Sequence, residues 1–175
     1  MNIRRSTLED AEAMLTFLAS FWEAGCDTVT QMSSLPTVEQ ELEWIATRDG
    51  DARVLFVAEQ EDRIVGMIEG TIPQSQEYAH GCEFGMSVLA PFRGQGIGRE
   101  LILRLLDWAE SKQLWRVELS VFSNNAPAIK LYTSMGFQED GRRENAVRLR
   151  DGGLCDLVQM FKYTATAIDH LEVRG

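Results

Sequence analysis

The stretch GCEFGMSVLAPFRGQGIGRELILRLLDW at residues 81–108 combines a strand, a glycine-rich loop and a helix. Residues 81–89 have the pattern of a strand, and apolar residues then recur at helical spacing from Leu101 to Trp108. The loop between them brings the free N–H groups of a helix start and the positive end of the helix dipole to one point. Such a point favours a bound phosphate group.

The glycines of this loop stand at alternate positions, Gly94, Gly96 and Gly98, and Arg93 and Arg99 flank them. Glycines remove the Cβ atoms that would keep an anion from the backbone N–H groups. The loop is neither a P-loop, which needs Gly-Lys-Ser/Thr, nor a dinucleotide fingerprint, because Arg99 stands where a third glycine or alanine belongs. By itself it fits an ordinary helix-start turn equally well.

Residues 121–137, VFSNNAPAIKLYTSMGF, form a second cluster, and together the two clusters resemble the GNAT superfamily of N-acetyltransferases. Arg93-x-x-Gly96-x-Gly98 matches the pyrophosphate loop of that superfamily. Its downstream acyl-coenzyme motif is matched by Asn125 through Ala128, Leu131, Tyr132, Gly136 and Phe137. The resemblance covers roughly residues 83–161. Residues 125–160 are most similar to bacterial acetyltransferases of free amino acids or related small amines.

The resemblance implies an α/β (α+β) fold with a mixed sheet of six to seven strands and about four flanking helices. Two central strands, 83–89 and 116–122, would splay apart and hold the coenzyme between them. The domain is expected to span residues 1–164, with 165–175 as a C-terminal tail. Dimers are common in the superfamily, so a homodimer is consistent with this analogy.

Acetyl-CoA is the cosubstrate that the resemblance implies. The backbone near Met86 and Val88 would pair with the pantetheine arm, and the N–H near Val88 could stabilise an oxyanion. Asn125 reads as a helix N-cap on physical grounds, and the family adds a hydrogen bond to the coenzyme. The residues expected to bind the coenzyme are Met86, Val88, Arg93, Gly94, Gln95, Gly96, Gly98, Arg99, Asn125 and Ala128.

Direct attack by an amine on the thioester needs an acid for the departing thiolate, and the resemblance assigns this role to Tyr132. Without the resemblance, a buried core tyrosine is the better interpretation. The general base stays open between Glu83, Glu118 and Ser120, any of which could act through water. Glu118 and Ser120 share one face of their strand by period-two alternation.

Cys82 near the predicted coenzyme strand is interpreted as a structural cysteine, since only His80 is close in sequence as a partner. The expected acceptor is the amine of a small molecule: an amino acid, an amino-acid-like toxin or a polyamine. Phe21, Trp22 and the loop 27–36 between the first two predicted helices are the hypothesised acceptor site. The alternatives are a protein N-terminus or lysine, and a sensor that binds acyl-CoA without turning it over.

Composition excludes several classes of protein. The net charge of −10 argues against a nucleic-acid partner. Three widely spaced cysteines and two histidines predict no metal site and a reducing, cytoplasmic location. No apolar stretch approaches the roughly 18 residues that a membrane span needs. We therefore expect neither a metal nor a membrane partner.

The remaining pattern predicts the order of elements. Ser6 and Glu9 match a capping box before a helix that Gly25 would end, and Thr37 would cap a second helix. Strands are expected at 2–5, 53–59, 63–72, 81–89, 116–122, 137–149 and 154–163, and a further helix at 124–135. The charged stretch 60–62 would close a hairpin between the second and third of these strands.

Overall fold

A computed structural model describes residues 1–23, 34–48 and 50–167, which form one mixed sheet flanked by helices. Its strands are β1 (Asn2–Arg5), β2 (Arg53–Gln60), β3 (Arg63–Thr71), β4 (Gly81–Val88), β5 (Arg116–Phe122), β6 (Gln138–Arg148) and β7 (Leu154–Tyr163). Its helices are α1 (Ala11–Glu23), α2 (Val38–Ala46), α3 (Ile97–Ser111) and α4 (Ala126–Ser134). Short 3₁₀ turns at Leu8–Asp10 and Ala90–Phe92 precede α1 and the glycine-rich loop. This architecture confirms the predicted fold class.

The seven strands follow the order β1-β2-β3-β4-β5-β7-β6. Neighbours are antiparallel except for β4 and β5, which are parallel. A parallel pair needs a crossover connection, and α3 supplies it. This single parallel pair lies at the centre of the sheet. The glycine-rich loop follows its first strand, β4, and leads into α3.

Period-two alternation along the strands divides the apolar residues between two cores. One core contains Leu101 and Leu105 of α3 and Tyr132 of α4, so both helices pack on the same face of the sheet. The other contains Met14 of α1 and Ile45 of α2, packed against β2 and β3. We call these faces the α3/α4 face and the α1/α2 face. No helix in the described ranges is long and apolar enough to cross a membrane.

The start of α1 differs from the prediction by one residue. The predicted capping pair was Ser6 and Glu9. In the structure the pair is Thr7 and Asp10, with Asp10 Oδ2 accepting the Thr7 N–H at 2.7 Å. Arg4 explains the choice, because its guanidinium donates to both carboxylate oxygens of Asp10 at 2.7 and 2.8 Å. This ion pair holds the pKa of Asp10 below its usual range. Gly25, the predicted helix end, lies outside the described residues.

The other local predictions are confirmed within one or two residues. Thr37 caps α2, with Gln40 N–H donating to its Oγ1 at 3.3 Å and Gln40 Oε1 accepting the Thr37 N–H at 2.9 Å. The hairpin between β2 and β3 turns through Glu61 and Asp62, both in the left-handed region at φ 52° and 56°. Aspartate tolerates that region better than most residues, so the charged stretch can close the turn.

Gly70 of β3 provides a test of how tightly α3 packs on the sheet. A Cβ at Gly70 would lie 2.6 Å from Leu105 Cδ1 and 3.1 Å from Cys82 Sγ, whereas one at Gly50 would meet nothing within 4 Å. We expect Gly70→Ala to lower the free energy of unfolding by about 1–3 kcal/mol, since overpacking forces a closely packed core apart. Urea denaturation measures the loss, with Gly50→Ala as the matched control. Equal stability of the two variants would contradict this account of the packing.

Candidate active site

The parallel strands β4 and β5 stay together for only three residue pairs. Their register is Gly81–Arg116, Cys82–Val117 and Glu83–Glu118. Beyond this point β4 remains paired with β3 as far as Val88, and β5 remains paired with β7 through Phe122. The two strands therefore splay as predicted and enclose a wedge, the central gap, whose apex lies at Glu83 and Glu118.

The backbone of β4 presents polar groups to this gap. Leu89 N–H donates to the Val65 carbonyl of β3 at 2.9 Å. Successive residues of a strand direct their backbone groups to opposite sides, so those of Met86 and Val88 face the gap. The carbonyl of Val88 accepts a hydrogen bond from Arg93 Nε at 2.9 Å. The structure thus places both predicted pantetheine residues where an extended ligand could replace a neighbouring strand.

The glycine-rich loop lies at the open end of the gap. Gly94 and Gly96 have φ of 76° and 86°, and a Cβ at either position would meet nothing within 4 Å. Gln95 braces the turn by donating from Nε2 to the Pro91 carbonyl at 3.1 Å. The first turn of α3 begins at Ile97, and its N–H groups lack intrahelical partners. The open glycine surface and these donors fit a diphosphate.

The other predicted loop residues differ in their surroundings. Arg99 is exposed at the helix start, while Arg93 folds back towards the end of β4. Gly98 is not open: a Cβ there would lie 3.0 Å from Leu131 Cδ2 and 3.3 Å from Met86 Cε. The contact of the Gly98 N–H with the diphosphate stays a prediction, because a Cβ direction does not decide where the N–H points. Gly98 allows α3 to pack closely against α4 and β4.

The second cluster forms α4, which starts beside the same end of the gap. Asn125 Oδ1 accepts the N–H of Ala128 at 3.3 Å, which confirms the predicted N-cap. Asn125 is exposed and Ala128 is half-buried. Their contacts with the coenzyme stay predictions.

Tyr132 of α4 stands beside the apex on the α3/α4 face. It is buried, with 6% exposure, and its ring makes edge contacts with Phe84 and Phe137 at centroid distances of 5.9 Å each. Phe84 is the first residue of β4 beyond the last pair with β5. The hydroxyl makes no hydrogen bond to the parts of the chain that the structure describes. Burial raises the pKa of Tyr132 to about 12, so the phenol stays protonated at neutral pH.

Three candidate bases lie on the opposite, α1/α2 face of the apex. Glu83, Glu118 and Ser120 alternate with residues that belong to the other core. Glu118 Oε1 forms an ion pair with Arg116 Nε at 2.9 Å. Among the described residues, Glu83 has no such partner. The structure therefore leaves Glu83 as the freer carboxylate.

A pocket of about 210 Å³ opens on this face, directly at the apex. It brings Glu83, Glu118 and Ser120 together as the sequence suggested. The residues that line it are Pro73, Tyr78, His80, Gly81, Cys82, Glu83, Glu118, Leu119, Ser120 and Gln159. Gln159 was missed because only the register of β7, which pairs it with Ser120, reveals its place. The segment after β3 was missed because nothing in its sequence indicates that it folds over the apex.

Phe21 and Trp22, which were proposed for the acceptor site, belong to α1. Phe21 packs against Phe17 at 5.1 Å beside the second core, and Trp22 is partly exposed near the end of α1. Neither lines the pocket. Residues 27–33 of the hypothesised loop are outside the described residues. The role of Phe21, Trp22 and the loop 27–36 in acceptor binding stays a prediction.

Cys82 and His80 do not form a nucleophilic pair in this structure. Burial raises the pKa of the Cys82 thiol to about 12, so it does not ionise near neutral pH. The His80 ring packs against Trp115, with centroids 5.9 Å apart. Within the described ranges, no group of three or more histidine, cysteine or acidic side chains could hold a metal ion.

The sequence and the fold of the chain are similar to those of known acetyltransferases. The chain is 28% identical over 159 residues to an L-amino acid N-acetyltransferase of Escherichia coli K12, covering 90% of this chain and 94% of that protein. A Brucella melitensis ribosomal-protein-alanine N-acetyltransferase structure is 28% identical, with a TM-score of 0.80 over 93% of this chain and 99% of that one. A candidate acetyltransferase of Salmonella typhimurium, solved with its cofactor acetyl-CoA, shares the fold at a TM-score of 0.81, with 22% identity and 93% of each chain covered.

The protein is accordingly an acetyl-CoA-dependent N-acetyltransferase. The model of the acetyltransferase (GNAT) family matches residues 15–137, well over half of the chain. The chain belongs to the GNAT family.

Gly96→Ala tests the diphosphate site. A side chain at φ 86° is strained, and its Cβ would occupy the open surface of the loop. We expect the Kd of acetyl-CoA to rise about tenfold, equivalent to roughly 1.4 kcal/mol, measured by calorimetric titration. Gly152→Ala is the matched control, because Gly152 has φ 88° and equally open surroundings in the turn between β6 and β7. If both variants bound acetyl-CoA like the wild type, the loop would not hold the diphosphate.

Proposed function

We propose that the enzyme transfers the acetyl group of acetyl-CoA to the primary amine of a small molecule by direct attack in a ternary complex. One observation carries this proposal: a protonated phenol stands on one face of the apex, and on the other stands a carboxylate that has no ion pair with the described residues. Tyr132 adjoins Phe84 on one face, and Glu83 opens into the pocket on the other. A thioester placed between them would have an acid on one side and an acceptor site on the other.

The size of the pocket supports a small acceptor. Its volume of about 210 Å³ is below the roughly 300–1,000 Å³ typical of pockets for drug-sized ligands. The segment carrying Pro73, Tyr78 and His80 forms one wall. The name of the Escherichia coli relative, which covers most of this chain, agrees with a small amine.

The chemistry follows from these positions. The amine nitrogen attacks the thioester carbonyl carbon, a C–N bond forms and the C–S bond breaks. Tyr132 donates its phenolic proton to the departing thiolate, and the N–H of Val88 is the expected donor to the carbonyl oxygen. Glu83 accepts one proton of the ammonium through water before the attack, and the second proton that the nitrogen loses on becoming an amide restores the Tyr132 phenol through solvent. Deprotonating an α-amine at pH 7 costs about 1 kcal/mol and a lysine-like amine about 4.6 kcal/mol, so the base matters more for the latter.

A protein N-terminus is the second candidate acceptor, because the similar Brucella structure is that of a ribosomal-protein-alanine N-acetyltransferase. The first experiment is therefore thiol release from acetyl-CoA, screened across amino acids, polyamines, amine-bearing toxins and short peptides. Release that depends on a small amine supports the proposal. Release with peptides alone favours the second candidate, and none, despite coenzyme binding, favours a sensor. A cytoplasmic location and a homodimer stay predictions.

Tyr132→Phe tests the general acid. We expect kcat to fall by about 10²–10⁴, because the thiolate loses its proton donor while the ring keeps its packing. Since burial raises the pKa of Tyr132 to about 12, the wild-type enzyme should not lose activity through its ionisation below about pH 11. Steady-state kinetics from pH 6 to 10 check both points, with Tyr163→Phe, a change at an exposed ring, as the control. Unchanged kcat in Tyr132→Phe would exclude the role.

Glu83→Gln and Glu118→Gln separate the two acidic bases. Because Arg116 already engages Glu118, we expect Glu118→Gln to change kcat at pH 7 by less than about threefold. Glu83→Gln should lower kcat at least about tenfold at pH 7, with recovery at higher pH where the amine is already deprotonated. The reverse order of effects would assign the base to Glu118.

A further inference from the structure

The pocket at the apex has an unbalanced charge. Two carboxylates line it, Glu83 and Glu118, and no lysine or arginine is among its lining residues in the described ranges. A group entering from solvent therefore meets negative charge first. Arg116 is not among the lining residues, but it forms an ion pair with Glu118, which is.

Arg116 is held in place by three contacts. Its Nε is 2.9 Å from Glu118 Oε1 and its Nη2 is 2.6 Å from Asp140 Oδ2. Its guanidinium carbon lies 3.9 Å from the centroid of the Phe161 ring. One positive charge thus faces two carboxylates, and its orientation is fixed by stacking and pairing. It has little capacity left to attract a third carboxylate.

Arg48, a second arginine on this face, is also paired. Arg48 Nε lies 3.1 Å from Glu69 Oε2, and the guanidinium stacks over Trp44 at 4.4 Å. Glu69 is on β3, close to Gly85 of the coenzyme strand. Arg116 and Arg48 therefore already have acidic partners.

We propose that the acceptor pocket selects primary amines without a carboxylate, such as amides of amino acids and aliphatic diamines, over free α-amino acids. This inference rests on the proposed function, because it concerns the acceptor of the same reaction. In an α-amino acid the carboxylate is two bonds from the amine and must enter the acidic pocket with it. An amide or a diamine brings the ammonium without that repulsion, and the free Glu83 attracts it.

The test compares leucine with leucinamide, and lysine with lysinamide and cadaverine. Each amide keeps the shape of its amino acid and removes the negative charge. We expect kcat/KM, corrected for the fraction of unprotonated amine, to be about tenfold or more higher for leucinamide than for leucine. The same difference is expected for lysinamide and cadaverine over lysine. A ratio near one, or a preference for the free amino acids, would overturn the inference.

Asp140→Asn addresses the cause of the selectivity. Asp140 is half-exposed and lies outside the pocket lining, so its amide leaves Arg116 paired with Glu118 alone. We expect the preference for leucinamide over leucine to fall about threefold, because Arg116 regains attraction for a carboxylate. Asp107→Asn makes the same charge change on the exposed side of α3 and should leave the ratio unaltered. An unchanged ratio in Asp140→Asn would overturn the role given to Arg116.

Calorimetric titration of the same amines in the presence of coenzyme A separates this inference from the proposed function. Tighter binding of the amides without any acetyl transfer would refute the proposed function and leave the selectivity intact. Equally efficient acetyl transfer to amines and to free amino acids would support the proposed function and refute the selectivity. Equal binding of leucine and leucinamide would count against the selectivity whatever the turnover.

Discussion

The short parallel contact between β4 and β5 is the constraint on which the rest of the site depends. Three residue pairs hold the strands together, and each strand then continues with a full antiparallel partner on its outer side. The separation therefore leaves unpaired backbone groups on the inner sides alone. Buried N–H and C=O groups without partners are costly, so the central gap favours water or an amide-bearing ligand. The pantetheine arm of coenzyme A has such amides, so it is the ligand that we expect in this gap.

The same point of separation distributes the chemistry between two faces. Glu83 and Phe84 are consecutive residues of β4, so their side chains point to opposite sides of the sheet. Phe84 contacts Tyr132 in a dry aromatic cluster with Phe137, where burial keeps the phenol protonated. Glu83 faces the wetter side and stays free of ion pairs in the described residues. Glu83 and Phe84 thus lie at the boundary between a wet and a dry environment, which are the surroundings that a general base and a general acid require.

Much of this architecture could be predicted from the sequence because it depends on local pattern. The strands Arg116–Phe122 and Leu154–Tyr163 were predicted to the residue, since alternation and turn residues define them. The cap of α1 was wrong by one position because Arg4, a tertiary partner, selects Asp10. The packing role of Gly98 could not be predicted for the same reason: its neighbour Leu131 is distant along the chain. Gln159 required the register of β7, which no local pattern contains.

The splayed strands also bear on how the protein avoids aggregation. A strand with unpaired backbone groups ordinarily invites another chain to add to the sheet. Here the unpaired side of β4 faces inward, across a wedge that β5 closes at its narrow end. A second polypeptide strand would have to fit between two strands that converge at Glu83, so only a narrow, flexible chain can lie along this edge. The molecule thus keeps the inner edge of β4 available for recognition while hindering a second copy of the chain from adding a strand there.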